Sequence, residues 1–95
     1  MASVTVRLPR LLAGLIGGAL ETTVEADTLA AALDTLIARH PELGVHIFDE
    51  SGKFRGHVLC FHNEDNTRWL PSLERPVKSG DVITIMQAVT GGLWD

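Results

Sequence analysis

Several residue types are scarce in this chain of 95 residues, and each scarcity excludes a class of protein. The single cysteine, Cys60, excludes an internal disulfide and agrees with a reducing compartment. Lysine and arginine together number 8 against 12 acidic residues, and no basic run occurs. Because nucleic-acid binding depends on many phosphate contacts by basic side chains, we expect no nucleic-acid partner.

No apolar run is long enough to cross a bilayer, which requires about 20 residues. The candidate near the start, LLAGLIGGAL, is too short and too rich in glycine. It also lacks the basic lead-in and the small-residue cleavage site of a secretory signal. We therefore expect a cytoplasmic protein with no membrane partner. Apolar residues still make up 45% of the chain, which is enough for one compact core.

The N-terminal segment predicts a β-hairpin. Apolar and polar residues alternate in SVTVRL, which indicates a half-buried strand, and Pro9 ends its pairing. Gly17 and Gly18 mark a turn, and a second strand is predicted from Leu20 to Glu25.

A change of period after the hairpin predicts one long helix. Leucine and isoleucine recur at i, i+4, i+7 and i+8 from Leu29 onward, which forms a single apolar stripe. Asp27 or Thr28 can cap the start of this helix. Pro41 forces His40 out of helical geometry and therefore ends it.

The remaining segments predict a turn and three strands. Turn chemistry is centred on Ser51 and Gly52, and the apolar run HVLCFHN suits a sheet interior. A short strand is predicted from Thr67 to Leu70, and DVITIMQAV is typical of a central strand.

This order of elements predicts an α+β fold. One main helix covers one face of a mixed sheet of four to five strands, because each has a single apolar face to bury. Parallel pairing of the first and last strands would place both at the sheet centre. That arrangement is the ubiquitin-like β-grasp.

The histidines do not predict a metal site. His57 and His62 are five residues apart on a presumed strand, and this odd spacing places them on opposite faces. His40 and His46 have no acidic or thiol partner at a ligand-like spacing.

No set of nucleophile, base and orienting acid predicts an enzyme. Cys60 is either a nucleophile or a core residue, and its apolar neighbours favour the core. Trp69 either packs over the sheet edge or anchors a partner, and the scarcity of aromatic residues favours packing. Two acidic pairs in turn-like segments are expected to be solvated: Asp49-Glu50 and Glu64-Asp65.

The sequence resembles a known family as far as Gly92. VTVRLP, LIARHPEL, DESGKFRGHVLCFHNEDNTRWL and VKSGDVITIMQAVTGG follow in order the pattern of the ubiquitin-like sulfur carriers. These include the small subunit of molybdopterin synthase, the thiamine-pathway carrier and the carriers that feed PLP-dependent cysteine synthases. VRLP with a following GG, and F.NEDN.R, look closest to the cysteine-synthase type. Gln87 departs from that pattern, which commonly has proline there.

The resemblance implies a function that resides in the tail. Residues 1–92 would form the carrier domain, which binds no cofactor and is not itself an enzyme. A ubiquitin-activating-type enzyme would use ATP to adenylate the Gly92 carboxylate, and a sulfurtransferase would convert the product to a thiocarboxylate. A PLP-dependent cysteine synthase-like enzyme would accept the sulfur. Gly91 would give clearance in a narrow active-site tunnel.

Residues 93–95 imply a precursor. In the chain as encoded, the Gly92 carbonyl is held in an amide with Leu93, so it has no free carboxylate to attack ATP. The bond between Gly92 and Leu93 is therefore the expected processing site, and a zinc peptidase of the JAMM type would cut it. Alternatives are a ubiquitin-like modifier joined to lysines through Gly92, a carrier of the molybdopterin-synthase or thiamine-pathway type, and a plain interaction domain whose diglycine is a relic. The alternative to a precursor is that Leu93 and Trp94 pack back on the sheet and the diglycine is only a bend.

Overall fold

Five strands form one mixed sheet in residues 1–87, the part of the chain that this computed structural model describes. The elements follow in the order β1 (Ala2–Arg7), α1 (Arg10–Ala13), β2 (Glu21–Ala26), α2 (Leu29–Arg39), α3 (Pro41–Ile47), β3 (Val58–His62), β4 (Asp65–Asn66) and β5 (Val82–Gln87). From edge to edge the strand order is β2-β1-β5-β3-β4. The predicted β-grasp is therefore confirmed, with β5 at the sheet centre.

The register of the strands fixes which ends of the sheet lie together. β1 runs antiparallel to β2, from the pair Ala2↔Ala26 to the pair Arg7↔Glu21. β1 runs parallel to β5, and β3 runs antiparallel to β5. The end of β1, the start of β3 and the end of β5 therefore lie at the same end of the sheet. The predicted parallel pairing of the first and last strands is confirmed.

The connection between β1 and β2 is more structured than the predicted turn. It contains α1 and a 3-10 helix, Gly14–Ile16, whose predecessors Leu12 and Ala13 are buried. Gly17 and Gly18 then adopt φ of 86° and 91°, which favour glycine, so the position of the turn is confirmed. The sequence did not reveal α1 because four residues are too short to show a helical stripe.

The main helix has the predicted start and end. The Thr28 hydroxyl accepts a hydrogen bond from the Ala31 N–H at 3.1 Å, so Thr28 is the cap. α2 ends at Arg39, but the chain after it does not continue as a loop. Pro41 instead begins α3, a position where its missing N–H costs no helical hydrogen bond. α3 was not predicted from the sequence.

The predicted strand from Thr67 to Leu70 is wrong. β4 consists only of Asp65–Asn66, and a 3-10 helix, Thr67–Trp69, follows it. The Asn66 side chain accepts a hydrogen bond from the Arg68 N–H at 2.9 Å. This local bond competes with extension of the strand, as asparagine side chains commonly do at helix starts.

The core lies between α2 and the inner face of the sheet. The inner faces of β1 and β5 contribute β-branched residues, and the stripe of α2 covers them with leucines.

The predicted turn centred on Ser51 and Gly52 is confirmed, since the Asp49 carboxylate accepts hydrogen bonds from the N–H groups of Ser51 and Lys53 at 2.8 and 3.1 Å. Among the helices up to Gln87, none has the length and apolar content to cross a membrane.

Candidate functional site

The predicted reaction centre lies just beyond the described residues. Gly91, Gly92 and Leu93 fall outside residues 1–87, so the roles assigned to them stay predictions. β5 ends at Gln87, five residues before Gly92. Five residues of extended chain reach at most roughly 17 Å. Any enzyme that acts on Gly92 must therefore contact the folded domain near the end of β5.

That end of the sheet is formed by three neighbouring segments. The parallel pair Arg7↔Thr84 places the connection after β1 beside the last residues of β5. The antiparallel pair Val58↔Gln87 places the start of β3 on the other side. A shallow groove of about 300 Å³ lies between the ends of β1 and β5, and it is lined by Arg7, Leu8, Pro9, Thr84, Ile85, Met86 and Gln87.

Exposed apolar side chains occur at this end of the sheet. Leu11 is 77% exposed, Leu20 is 51% exposed and Met86 is 47% exposed, and Leu15 is exposed as well. We call these four residues the exit surface. Because exposed apolar side chains that occur together mark interaction sites more often than isolated ones, the exit surface is the candidate contact for a partner that receives the tail.

The opposite end of β5 is held by a carboxylate. Asp81 Oδ2 accepts a hydrogen bond from the Lys78 N–H at 2.9 Å and lies 2.8 Å from His62 Nε2. Asp81 Oδ1 accepts a bond from Asn63 Nδ2 at 3.2 Å. The Lys78 N–H, followed by His62, lowers the pKa of Asp81 to about 2. Asp81 is therefore ionised at neutral pH and fixes the start of β5 against β3.

Asn63 completes this anchor. Its φ of 55° turns the chain after β3, and its side-chain oxygen accepts a hydrogen bond from the Val82 N–H at 2.9 Å. Its own N–H donates to the Val82 carbonyl at 2.7 Å. The segment VKSGDVITIMQAVTGG, which contains Asp81, carries part of the family resemblance, but no role was predicted for Asp81. The role of Asp81 depends on a turn in which Gly80 adopts φ of 94°. The Gly80-Asp81 pair, which is typical of turns, could have indicated it.

The histidines have separate environments. β3 begins at Val58, so His57 lies in the preceding turn and not on the strand where it was predicted. His62 is buried and bonded to Asp81, whereas His46 is exposed in α3. Within residues 1–87, no three histidine, cysteine or acidic side chains converge as metal ligands.

Cys60 is a core residue, as predicted. It is only 2% exposed, and burial raises the pKa of its thiol to about 12. The thiolate is the nucleophilic form of cysteine, so this side chain is unreactive near neutral pH.

Trp69 is exposed, and the prediction that it packs over the sheet edge is wrong. It is 77% exposed in the 3-10 helix that follows β4. The 3-10 helix directs this side chain toward solvent, whereas a strand at this position would have placed it against the sheet. Exposure favours the alternative interpretation, an anchor for a partner.

A β-grasp domain whose central strand is followed in sequence by a diglycine defines the class of ubiquitin-like carriers. The model of the ThiS family matches residues 7–92, and the chain belongs to this family of sulfur carriers. It is a carrier and not an enzyme. The predicted resemblance is confirmed.

Known proteins of the same kind resemble the chain over nearly its whole length. The sulfur carrier protein CysO of Mycobacterium tuberculosis is 32% identical over 92 residues, which are 95% of this chain and 99% of CysO. The BexX/CysO complex of Amycolatopsis orientalis matches with a TM-score of 0.80 at 30% identity, covering 94% of this chain and 99% of the matched chain. SAMP1 from Haloferax volcanii matches with a TM-score of 0.78 at 26% identity, covering 96% and 100%.

Proposed function

We propose that the chain carries sulfur as a thiocarboxylate on Gly92, after cleavage of the bond between Gly92 and Leu93. The observation that supports this most is where the family match ends. It extends to residue 92 and leaves residues 93–95 outside. A chain that ends at Gly92 has a free main-chain carboxylate on a residue without a side chain, whereas a chain that continues into Leu93 holds the Gly92 carbonyl in an amide.

The chemistry requires activation of a poor electrophile. A Gly92 carboxylate oxygen attacks the α-phosphorus of ATP on a ubiquitin-activating-type enzyme, and pyrophosphate leaves. Sulfide sulfur delivered by a sulfurtransferase then attacks the acyl carbon, and AMP leaves with the carboxylate oxygen. The product is a thiocarboxylate, a soft nucleophile near neutral pH. All catalytic groups in these steps belong to the partner enzymes.

The carrier contributes position. Gly92 lies within roughly 17 Å of Gln87, so the activating enzyme has to bind the end of the sheet where β5 ends. The exit surface presents apolar side chains there. Gly91 allows the last residues to enter a narrow active site, because it has no Cβ to meet the walls.

The acceptor is proposed to be a PLP-dependent cysteine synthase-like enzyme, which incorporates the sulfur into cysteine or a related metabolite. The similarity to CysO of Mycobacterium tuberculosis supports this acceptor over a molybdopterin synthase or a thiamine-pathway enzyme. The BexX/CysO complex supports direct docking of a partner on a carrier of this fold.

The precursor would be processed by a zinc peptidase of the JAMM type, which hydrolyses the Gly92-Leu93 amide with a metal-activated water. Activation fits the cytoplasm, because it consumes ATP. Residues 1–92 are then the carrier domain, and residues 93–95 are a removable extension.

The test compares three purified forms with the cognate activating enzyme and ATP: the full-length chain, the chain ending at Gly92, and that shorter chain with Gly91→Ala. Pyrophosphate release should appear for the chain ending at Gly92, weaken for the alanine variant and be absent for the full-length chain. Equal release from the full-length chain contradicts the precursor. No release from any form contradicts the carrier chemistry at Gly92.

A second candidate is a ubiquitin-like modifier joined to lysine through Gly92. The similarity to SAMP1, a small archaeal modifier protein, favours this candidate specifically. Mass spectrometry of the protein from its native cell separates the two. A gain of about 16 Da on a chain ending at Gly92 indicates replacement of OH by SH. A branched peptide that joins Gly92 to another protein indicates conjugation.

A further inference from the structure

A second candidate interaction site borders the outer edge of β3. A groove of about 620 Å³ runs along this edge. It exists because β4 is short: β4 pairs only with Phe61 and His62, so residues 58–60 have no strand on their outer side in the described part of the sheet. Besides residues 58–60, the groove is lined by residues 53–56, 66–68 and 70–73.

The floor of this groove is apolar. Phe54, Leu59, Leu70 and Leu73 line it and are half-buried, so each exposes part of its side chain to the groove. A groove of this volume falls in the range of sites that bind ligands or peptide side chains. An occupant with an apolar side chain would remove this surface from water.

The rim of the groove is positively charged. Three of the 8 basic residues line it, namely Lys53, Arg55 and Arg68, and none of the 12 acidic residues does. Lys53 and Arg68 are exposed and form no ion pair with any residue up to Gln87. Arg55 also borders the surface that carries Asp49 and Glu50, so acidic side chains lie near its charge. Lys53 and Arg68 line only the groove.

Trp69 lies beside the same groove. It stands between the lining residues Arg68 and Leu70 and is 77% exposed, so it contributes little to the core. Tryptophan and arginine are the side chains that most often dominate binding energy at protein interfaces. Their adjacency at the rim of an apolar groove favours a protein ligand over a small anion, which would leave the apolar floor in contact with water.

We propose that this groove binds an extended acidic segment of a partner protein that carries a short apolar anchor at its centre. The anchor fills the floor, carboxylates pair with Lys53 and Arg68, and Trp69 covers the segment. The start of β3 pairs with the end of β5, Val58 with Gln87, so a protein that holds the tail can also reach the groove. Binding to the groove does not depend on sulfur transfer at Gly92.

The test uses the full chain with Trp94→Phe, which leaves Trp69 as the only tryptophan. The probe is the capped octapeptide DEDLIDED, and its matched control is the uncharged NQNLINQN. Binding of DEDLIDED should shift the emission of Trp69 to shorter wavelength, with saturation below about 1 mM. Amide NMR shifts should concentrate in residues 53–60 and 66–73. The uncharged peptide should bind at least about tenfold more weakly.

Three variants at exposed positions locate the site without disturbing the core. Lys53→Glu and Arg68→Glu should each weaken binding about tenfold. Lys78→Glu makes the same change of net charge as Lys53→Glu but lies outside the groove, and it should change affinity less than about twofold. Folding of each variant is checked by the NMR spectrum.

Four outcomes of the peptide and variant experiments overturn the proposal. They are no binding of DEDLIDED up to about 1 mM, equal binding of both peptides, equal weakening by Lys78→Glu, and amide shifts located on the exit surface. Inorganic phosphate at the same concentration is the final probe. If phosphate alone reproduces the amide shifts, the groove is a small-anion site and the peptide proposal is wrong.

Discussion

The two sides of the central strand differ in how completely the sheet is built. On one side, β1 pairs with β2 over its whole length, and the Arg39 guanidinium donates to the Thr23 carbonyl at the outer edge at 2.7 Å. On the other side, β4 covers only two residues of β3, and a groove replaces the missing strand. We call the side formed by β1 and β2 the complete side and the side formed by β3 and β4 the incomplete side. The complete side supplies stability, whereas the incomplete side leaves polar and aromatic groups free to contact a partner.

The largest expected effect is in the core under the complete side. Leu36→Ala removes a fully buried side chain of α2 and should destabilise the fold by about 3 kcal/mol. The matched variant on the incomplete side, Leu70→Ala, removes a half-buried leucine and should cost less than about 1.5 kcal/mol. Urea unfolding measures both free energies. Equal losses of unfolding free energy in the two variants would mean that both sides of the sheet contribute equally to stability.

The anchor of β5 should make stability depend on acid. The pKa of Asp81 is lowered from its ordinary value of 3.8 to about 2 in the folded chain. Its contribution to the free energy of unfolding is therefore fully present above about pH 4 and is lost as pH falls through 2. Asp81→Asn should cost about 2 kcal/mol at neutral pH, because it removes a carboxylate that accepts several hydrogen bonds. Its urea midpoint should approach that of the original chain near pH 2. A constant difference across pH contradicts this role.

A smaller effect is expected inside β3. Cys60→Ser places a hydroxyl in an apolar site and should destabilise by about 1 kcal/mol or more. Because the thiol is buried, thiocarboxylate formation on a chain ending at Gly92 should continue. Thermal unfolding and mass spectrometry of the same sample measure the two effects. Loss of thiocarboxylate formation in a folded variant would give Cys60 a chemical role.

The smallest expected effect is at the rim of the groove. Trp69→Ser should change the free energy of unfolding by less than about 0.5 kcal/mol, because the side chain is largely exposed. The same variant should weaken binding of the acidic octapeptide. A large loss of stability would instead mean that Trp69 supports the fold, and it would erase the difference between the two sides.

The sequence predicted the complete side better than the incomplete side, for a physical reason. β1, α2 and β5 each have one buried face, and burial produces the regular period that a sequence reveals. The segment from Asp65 to Trp69 is held by local side-chain bonds such as that of Asn66, which leave no period. Packing of Trp69 was predicted from the scarcity of aromatic residues, which does not give the direction of the side chain. That direction depends on the 3-10 helix that stands where a strand was predicted.

The candidate site divides in the same way. Gly91 and Gly92 were recognised from the family motif, because their proposed roles depend on residue type and can be read from the sequence without the fold. The exit surface was not predicted, because only the parallel register of β1 and β5 brings Met86 to the end of the sheet where Leu11, Leu15 and Leu20 lie. The groove was missed because it results from a strand that stops early.

The parallel pairing of β1 and β5 has a consequence for how the molecule folds. The pair Thr5↔Val82 closes a loop that contains most of the chain, and closing such a loop costs entropy before any contact repays it. We therefore expect the hairpin of β1 and β2 to form early and the central pair late. Val24→Ala in β2 should slow refolding, whereas Ile85→Ala in β5 should mainly speed unfolding, as stopped-flow measurements would show. The strand that precedes the diglycine is then the last to be fixed, so an activating enzyme that requires the finished sheet selects against unfolded carriers.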